Sequence, residues 1–204
     1  MDGRAAAARR ARSEEEALKL RIGVFGGTFD PVHVGHLAIA LAALESVPLH
    51  RVLFVPARRS PLKDRDPLAS VADRVAMLEA AIASEPRFSL SRVELERDGV
   101  SYTVDTLEAL RSHGELFLIL GSDALADLAR WRTPDRIREL ATILVAARPG
   151  APEPDPRHQA RAFDAPRLDI SSRELRARAA RGMSLRYLVP DAVWEHIKKR
   201  SLYQ

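Results

Sequence analysis

The sequence predicts an α/β fold: a Rossmann-like, doubly wound parallel sheet with helices on both faces and a C-terminal helical segment. Three observations predict it. From Arg21 onward, short apolar β-branched runs alternate with stretches of helical spacing. Several of the runs stop at glycine or proline, as strands entering turns do. No internal repeat interrupts the alternation, so the expected arrangement is one domain over residues 21–204, preceded by a flexible extension at 1–20 and closed by a strand and helices over 168–204.

The elements follow in order. Arg21–Phe25 reads as a strand ending in Gly26-Gly27. His36–Ser46 places Leu37, Leu41 and Leu44 on one helical face. His50–Val55 is a strand stopped by Pro56, and Ser70–Ser84 a helix with Ser70 and Asp73 as a capping pair. Phe88–Leu95 alternates like a half-exposed strand. Val104–Ser112 reads as a helix, Leu116–Leu120 as a buried strand ending at Gly121, and Ser122–Arg130 as a helix. Thr133-Pro134 supplies an N-cap and first-turn proline for a helix through Leu140. Thr142–Ala146 is a further strand, Pro149–Pro166 a proline-rich loop, and Leu168–Ile170 a last short strand before helices at Ser172–Arg181 and Pro190–Arg200. Trp194 and Tyr203 are expected to pack the final helix onto the core.

Composition narrows the chemistry. The chain has 204 residues and no cysteine, which removes disulfides, thiolate metal sites and a cysteine nucleophile together. No apolar run approaches the ~20 residues of a membrane-spanning helix. Residues 1–20 carry the Glu14-Glu15-Glu16 run and lack the apolar segment of an export signal, so the cytoplasm is the expected address. The formal charge of +4 comes almost wholly from arginine, which suits polyphosphate ligands as well as nucleic acid.

In parallel sheets, ligands sit beyond the carboxyl ends of the strands. There the sequence reads GGTFDPVHVGH, from Gly26 to His36. Paired glycines let backbone approach a phosphate closely, and the helix start that follows is an anion site. His33 and His36, three apart, share a face and can donate to phosphate oxygens. A glycine turn with two capping histidines is the plainer explanation. The glycines, Asp30-Pro31 and Gly35 together favour a phosphate site.

This segment resembles the signature of the nucleotidyltransferase superfamily, and most of all that of the bacterial-type nicotinate-nucleotide adenylyltransferases. The resemblance implies that His33 and His36 contact the ATP phosphates and that Gly26, Gly27, Thr28 and Phe29 border the nucleotide. ISSRELR, Ile170 to Arg176, is similar to the family's Ile-Ser-Ser-Thr-x-x-Arg, which implies that Ser171, Ser172 and Arg176 bind the β- and γ-phosphates. Ser171 with Glu174 is equally a complete capping box, and Arg173 replaces the family's threonine. Gly121-Ser122-Asp123 resembles the Gly-x-Asp on the adenosine side, with Gly121 and Asp123 implied in ATP binding. Ser101-Tyr102-Thr103 resembles the Ser-Tyr-Thr lining the pyridine mononucleotide pocket, and Trp131 by the same resemblance stacks on the pyridine ring. Helix capping at Thr103 and a core position for Trp131 are the alternatives. Lys63 matches the lysine of the family's Pro-x-x-x-Pro-Pro-His-Lys, though Ser60 and Leu62 stand in place of a proline and the histidine. Arg58 and Arg59 are expected as solvated charges.

The resemblance covers Arg21 to Tyr203. It implies transfer of AMP from ATP to nicotinate mononucleotide, with Mg²⁺ carried by ATP, no dedicated protein metal site, and neither nucleic acid nor membrane as partner. A nicotinamide-mononucleotide or other small-phosphate nucleotidyltransferase, and a catalytically silent nucleotide sensor, are the competing expectations.

Overall fold

The computed structural model describes residues 19–59, 66–147 and 154–204. Lys63, most of the N-terminal extension and residues 148–153 lie outside the described residues. Six strands form one sheet: β1 (Arg21–Gly27), β2 (Arg51–Pro56), β3 (Phe88–Leu90), β4 (Glu115–Gly121), β5 (Ala141–Ala147) and β6 (Ala160–Asp164). Their order is β3-β2-β1-β4-β5-β6, and every pairing is parallel.

Period-two alternation divides the core into two layers. Phe25, Phe54, Phe117, Ile119, Leu144 and Phe163 face one side. There they meet α1 (Val34–Ser46), α2 (Val71–Ile82), α6 (Ser172–Ala179) and α7 (Asp191–Lys199). Ile22, Val24, Leu53, Leu118, Ile143 and Val145 face the other, against α3 (Thr103–Leu110), α4 (Ser122–Ala126) and α5 (Pro134–Leu140). The chain thus leaves β1 toward one edge by α1 and leaves β4 toward the other edge by α4 and α5. The loops diverge above β1 and β4, and a crevice opens at that switch point. No helix among the described residues is long and apolar enough to cross a membrane.

The central strands need Gly23. A Cβ there would lie 2.9 Å from Ile119 Cδ1, 3.0 Å from Leu49 Cδ1 and 3.1 Å from Val52 Cγ2. Helix α7 is tied to α2 through Asp73. The Ser70 hydroxyl, as predicted, accepts from the Asp73 N–H and donates to its carboxylate. The other carboxylate oxygen accepts from His196 and Arg200, each at 3.0 Å. The Ser70 hydroxyl, joined by Arg200 and His196, holds the Asp73 carboxyl down at about 2.

Four expectations are corrected. The segment assigned to loop contains the edge strand β6, where Phe163 alone of five residues is buried. An edge strand with one buried side chain lacks the apolar run that marks its neighbours. Leu168–Ile170 makes no strand and crosses the sheet end as irregular backbone. The third strand stops at Leu90, and the helix after Gly121 is five residues followed by a 3₁₀ turn, Leu128–Arg130. Arg58 and Arg59 are exposed, as expected; Arg58 also donates to the Leu95 carbonyl, and Arg59 pairs with Asp66 at 3.2 Å on the surface.

Filling the Gly23 position should cost stability through overpacking. Gly23→Val is expected to lower the unfolding free energy by about 1–3 kcal/mol, read as a lower urea midpoint at unchanged slope. A variant as stable as the parent would show that the sheet centre has slack.

Candidate active site

The turn after β1 is fixed from four directions. One Asp30 carboxylate oxygen accepts the Leu68 N–H at 2.8 Å, and the other accepts the Ala69 N–H at 3.1 Å and the Tyr203 hydroxyl at 2.7 Å. The Arg176 Nη1 of α6 donates to the Asp30 carbonyl at 2.6 Å, and the Ser172 hydroxyl donates to the Pro31 carbonyl at 2.9 Å. From beneath, Arg74 of α2, only 1% exposed, donates to the Thr28 and Ala57 carbonyls at 2.8 Å each. Burial lowers the Arg74 pKa, opposed by Asp30 nearby. Burial, together with the Asp30 carboxylate, raises that of Tyr203.

This turn delivers the two histidines. His33 is the extended N-cap of α1, and the Nδ1 of His36 accepts the His33 backbone N–H at 3.2 Å. An imidazole nitrogen that accepts an N–H carries no proton, so neutral His36 is protonated on Nε2, which is its donor. The two rings overlap, with centroids 3.7 Å apart and planes at 32°. Phe29 stands edge-on to His36 at 5.1 Å. His33 is 6% exposed, and burial lowers its pKa to about 4. Gly35 is required by this packing, since a Cβ there would come within 3.0 Å of the His33 Nδ1. Capping and phosphate binding are therefore compatible duties of the same pair.

Above the strand ends lies a cleft of about 1080 Å³, with Gly26, Thr28, His33 and His36 on one wall, Gly121 and Asp123 on another, and Ser171, Ser172, Arg173 and Arg176 opposite. A Cβ at Gly26 or Gly121 would meet no atom within 4 Å. The fold leaves these two positions room that no side chain occupies. Helix α1 has no acidic residue in its first turn, so no carboxylate of its own offsets the positive end of its dipole.

Nine of the predicted residues meet in this cleft, but some play other parts. The Phe29 side chain is 1% exposed and lies in the core, so its ring supports the turn from within. Gly27 is explained by Phe29: a Cβ would sit 3.1 Å from that ring. The Ser171 hydroxyl closes the capping box, accepting the Glu174 N–H and donating to its carboxylate. The Ser172 hydroxyl is engaged by Pro31. What the start of α6 offers a polyphosphate is its backbone N–H groups and the charges of Arg173 and Arg176.

Tyr102 and Thr103 stand at the start of α3, and Tyr102, not Thr103, is its N-cap. Trp131 ends the 3₁₀ turn, half-buried against the lower core layer, its indole Nε1 without a hydrogen-bond partner among the described residues. The residue that sequence reasoning missed here is Arg132, whose guanidinium lies 4.8 Å from the Tyr102 ring centroid. The missed residues Arg74 and Tyr203 organise the first turn across 46 and 173 residues of sequence separation, which no local pattern announces.

Fold and cleft together are those of a Rossmann-like α/β protein with a histidine pair lining the crevice at the switch point, where such sheets take their ligands. The cytidylyltransferase-like family matches residues 24–178. A protein of Roseiflexus castenholzii named a probable nicotinate-nucleotide adenylyltransferase is 48% identical, covering 90% of this chain and 98% of its own. One of Thermus thermophilus with the same name is 46% identical, covering 91% and 100%. The Plasmodium falciparum nicotinic acid mononucleotide adenylyltransferase complexed with NaAD shares the fold at a TM-score of 0.72 and 20% identity, over 90% of this chain and 97% of its own. The chain belongs to the nicotinate-nucleotide adenylyltransferase family.

Buried His33 makes the empty protein acid-sensitive. The folded state holds this imidazole neutral down to about pH 4, whereas an unfolded histidine protonates near 6.5. The unfolded chain therefore binds the extra proton, and unfolding free energy should fall by up to about 3 kcal/mol from pH 7 to 4. His33→Gln should flatten that slope by the same amount in urea titrations at several pH values. An unchanged slope would contradict the burial argument.

Proposed function

We propose that the chain transfers the adenylyl group of ATP to the phosphate of nicotinate mononucleotide, forming nicotinate adenine dinucleotide and pyrophosphate in NAD biosynthesis. The observation that carries the proposal is the meeting of His33, His36, two unobstructed strand-end glycines and the arginine-bearing start of α6 around one cleft.

The chemistry asks little beyond positioning. An oxygen of the acceptor phosphate, already anionic at neutral pH, attacks the α-phosphorus of ATP. The bond from that phosphorus to the bridging oxygen breaks, and pyrophosphate departs with the electron pair. No general base and no covalent enzyme intermediate are needed. The protein's task is alignment and stabilisation of spreading negative charge. In this reading His36 donates from Nε2 to the reacting phosphate, and neutral His33 donates beside it. Arg176 and the α6 N–H groups hold the β- and γ-phosphates, with Ser171 and Ser172 contributing through backbone. Gly121 and Asp123 take the adenosine side, and Mg²⁺ enters with ATP as part of that substrate. Tyr102, Thr103 and Trp131 take the mononucleotide, and Lys63 belongs to the same reading as a phosphate ligand. The reading places the enzyme in the cytoplasm.

Pyrophosphate release, with ATP and each mononucleotide offered separately, tests the activity. His36→Ala should lose on the order of 10²–10³ in turnover while staying folded; near-full turnover would remove His36 from the mechanism. Gly121→Ala should keep its melting temperature, because its φ of −80° suits alanine and its Cβ meets no protein atom. Its KM for ATP is expected to rise roughly tenfold, about 1.4 kcal/mol. An unchanged KM would show that the space above β4 is not used by ATP.

A further inference from the structure

One buried hydroxyl beside the histidine turn has no task in that reaction, that of Tyr203. We propose that Tyr203 is a positioning residue: its hydroxyl keeps the Asp30 carboxylate off Arg176, leaving that guanidinium open to ATP and pyrophosphate. The inference rests on the polyphosphate site proposed above at the start of α6.

Arg176 and Asp30 stand at the edge of a closed ion pair. The Arg176 Nη1 lies 3.8 Å from Asp30 Oδ2, beyond hydrogen-bond distance, while the same nitrogen donates to the Asp30 carbonyl at 2.6 Å. Its Nε and Nη2 have no hydrogen-bond partner among the described residues, and the side chain lines the cleft. A guanidinium has five N–H donors, so most of this fork is free.

What holds the carboxylate back is the set of neutral donors already on it. Oδ2 accepts the Leu68 N–H at 2.8 Å; Oδ1 accepts the Ala69 N–H at 3.1 Å and the Tyr203 hydroxyl at 2.7 Å. A carboxylate has about four acceptor sites, and these bonds fill most of them. Burial and the carboxylate together push the pKa of the phenol up, so it stays a donor through the neutral range. Without the hydroxyl, about half of the acceptor sites would stand open on a buried carboxylate. An anion in that position takes the nearest uncommitted charge. Arg74 is already engaged by the Thr28 and Ala57 carbonyls, whereas Arg176 stands within reach with donors to spare. Its fork then turns toward Asp30 and away from the cleft.

Two other roles predict different behaviour. A hydroxyl that only stabilises the fold lowers the melting temperature and leaves both KM values alone. One that fixes the histidine turn as a whole lowers turnover rather than affinity for polyphosphate.

The test is steady-state pyrophosphate release by the full chain with MgATP and nicotinate mononucleotide, alongside calorimetric titration with ATP and with AMP. Tyr203→Phe, which removes a single oxygen, is expected to raise the KM for ATP about 5- to 10-fold and to weaken inhibition by pyrophosphate equally. The acceptor KM, the turnover number and the affinity for AMP should stay within about twofold. In an Arg176→Gln background the same substitution should add nothing, because its target is gone. Leu202→Ala, which loosens the neighbouring partly buried side chain, should lower the melting temperature without moving the ATP KM. Circular-dichroism melts fix an assay temperature at which every variant is folded. An unchanged ATP KM in Tyr203→Phe, equal losses with ATP and AMP, a further loss on top of Arg176→Gln, or the same KM rise in Leu202→Ala would each overturn the inference. A wild type that binds ATP but releases no pyrophosphate with this acceptor removes the proposed reaction alone, and the titrations still decide the role of Tyr203. A wild type that binds no ATP overturns both.

Discussion

The Asp30 carboxylate is the constraint on which the site depends. It is 2% exposed, and it gathers two backbone N–H groups from the 68–69 segment and the hydroxyl of Tyr203, while Arg176 grips the carbonyl of the same residue. A buried carboxylate left without such partners would be costly, so the surrounding segments must close on it for the fold to be stable. Once they have closed, the 28–31 backbone has one available path, and His33 begins α1 at a defined place. Arg74 applies the same logic from below, its charge buried beneath the turn and its Nη1 held by carbonyls from two different loops. The pair brings opposite charges to the two sides of one short turn.

On this base the histidines divide their work by environment. His33 is stripped of water and held neutral; His36 is half-buried and fixed in one tautomer by a backbone N–H. Both facts follow from a helix start that uses histidine where serine and glutamate usually serve. The arrangement needs Gly35, because the His33 ring covers the place a side chain would take. Substrate room and structural need are thus separable among the glycines. Gly23, Gly27 and Gly35 are filled from inside the protein, whereas Gly26 and Gly121 are open toward the cleft.

Much of this was legible in the sequence, for physical reasons. The four strands with buried apolar runs, the Ser70–Asp73 and Ser171–Glu174 caps, and the convergence of the strand-end motifs follow from short-range rules. Each involves residues within a few positions of one another or the general geometry of parallel sheets. β6 escaped because an edge strand needs few apolar residues, and its single Phe163 sits in proline-rich surroundings. The direction of the Phe29 ring is not legible, because proximity to a glycine turn does not say which way a side chain points; at φ 47° the backbone turns it into the core. The partners of the two serine hydroxyls are only half legible: the Ser171–Glu174 cap is local, whereas Ser172 reaches Pro31 across 141 positions. Arg74, Arg132 and Tyr203 were out of reach, since their partners lie far along the chain or across a loop.

The tyrosine clasp has a consequence for how the molecule comes into being. Asp30 and Tyr203 are separated by 173 positions. A polypeptide is synthesised from its amino end, so the loop bearing the histidines emerges long before the phenol that fastens it. The nascent strands and first helices can assemble while the chemistry is still unfinished. The hydrogen bond that completes the clasp can form only after Tyr203 has been made, so it is among the last contacts of this turn to appear.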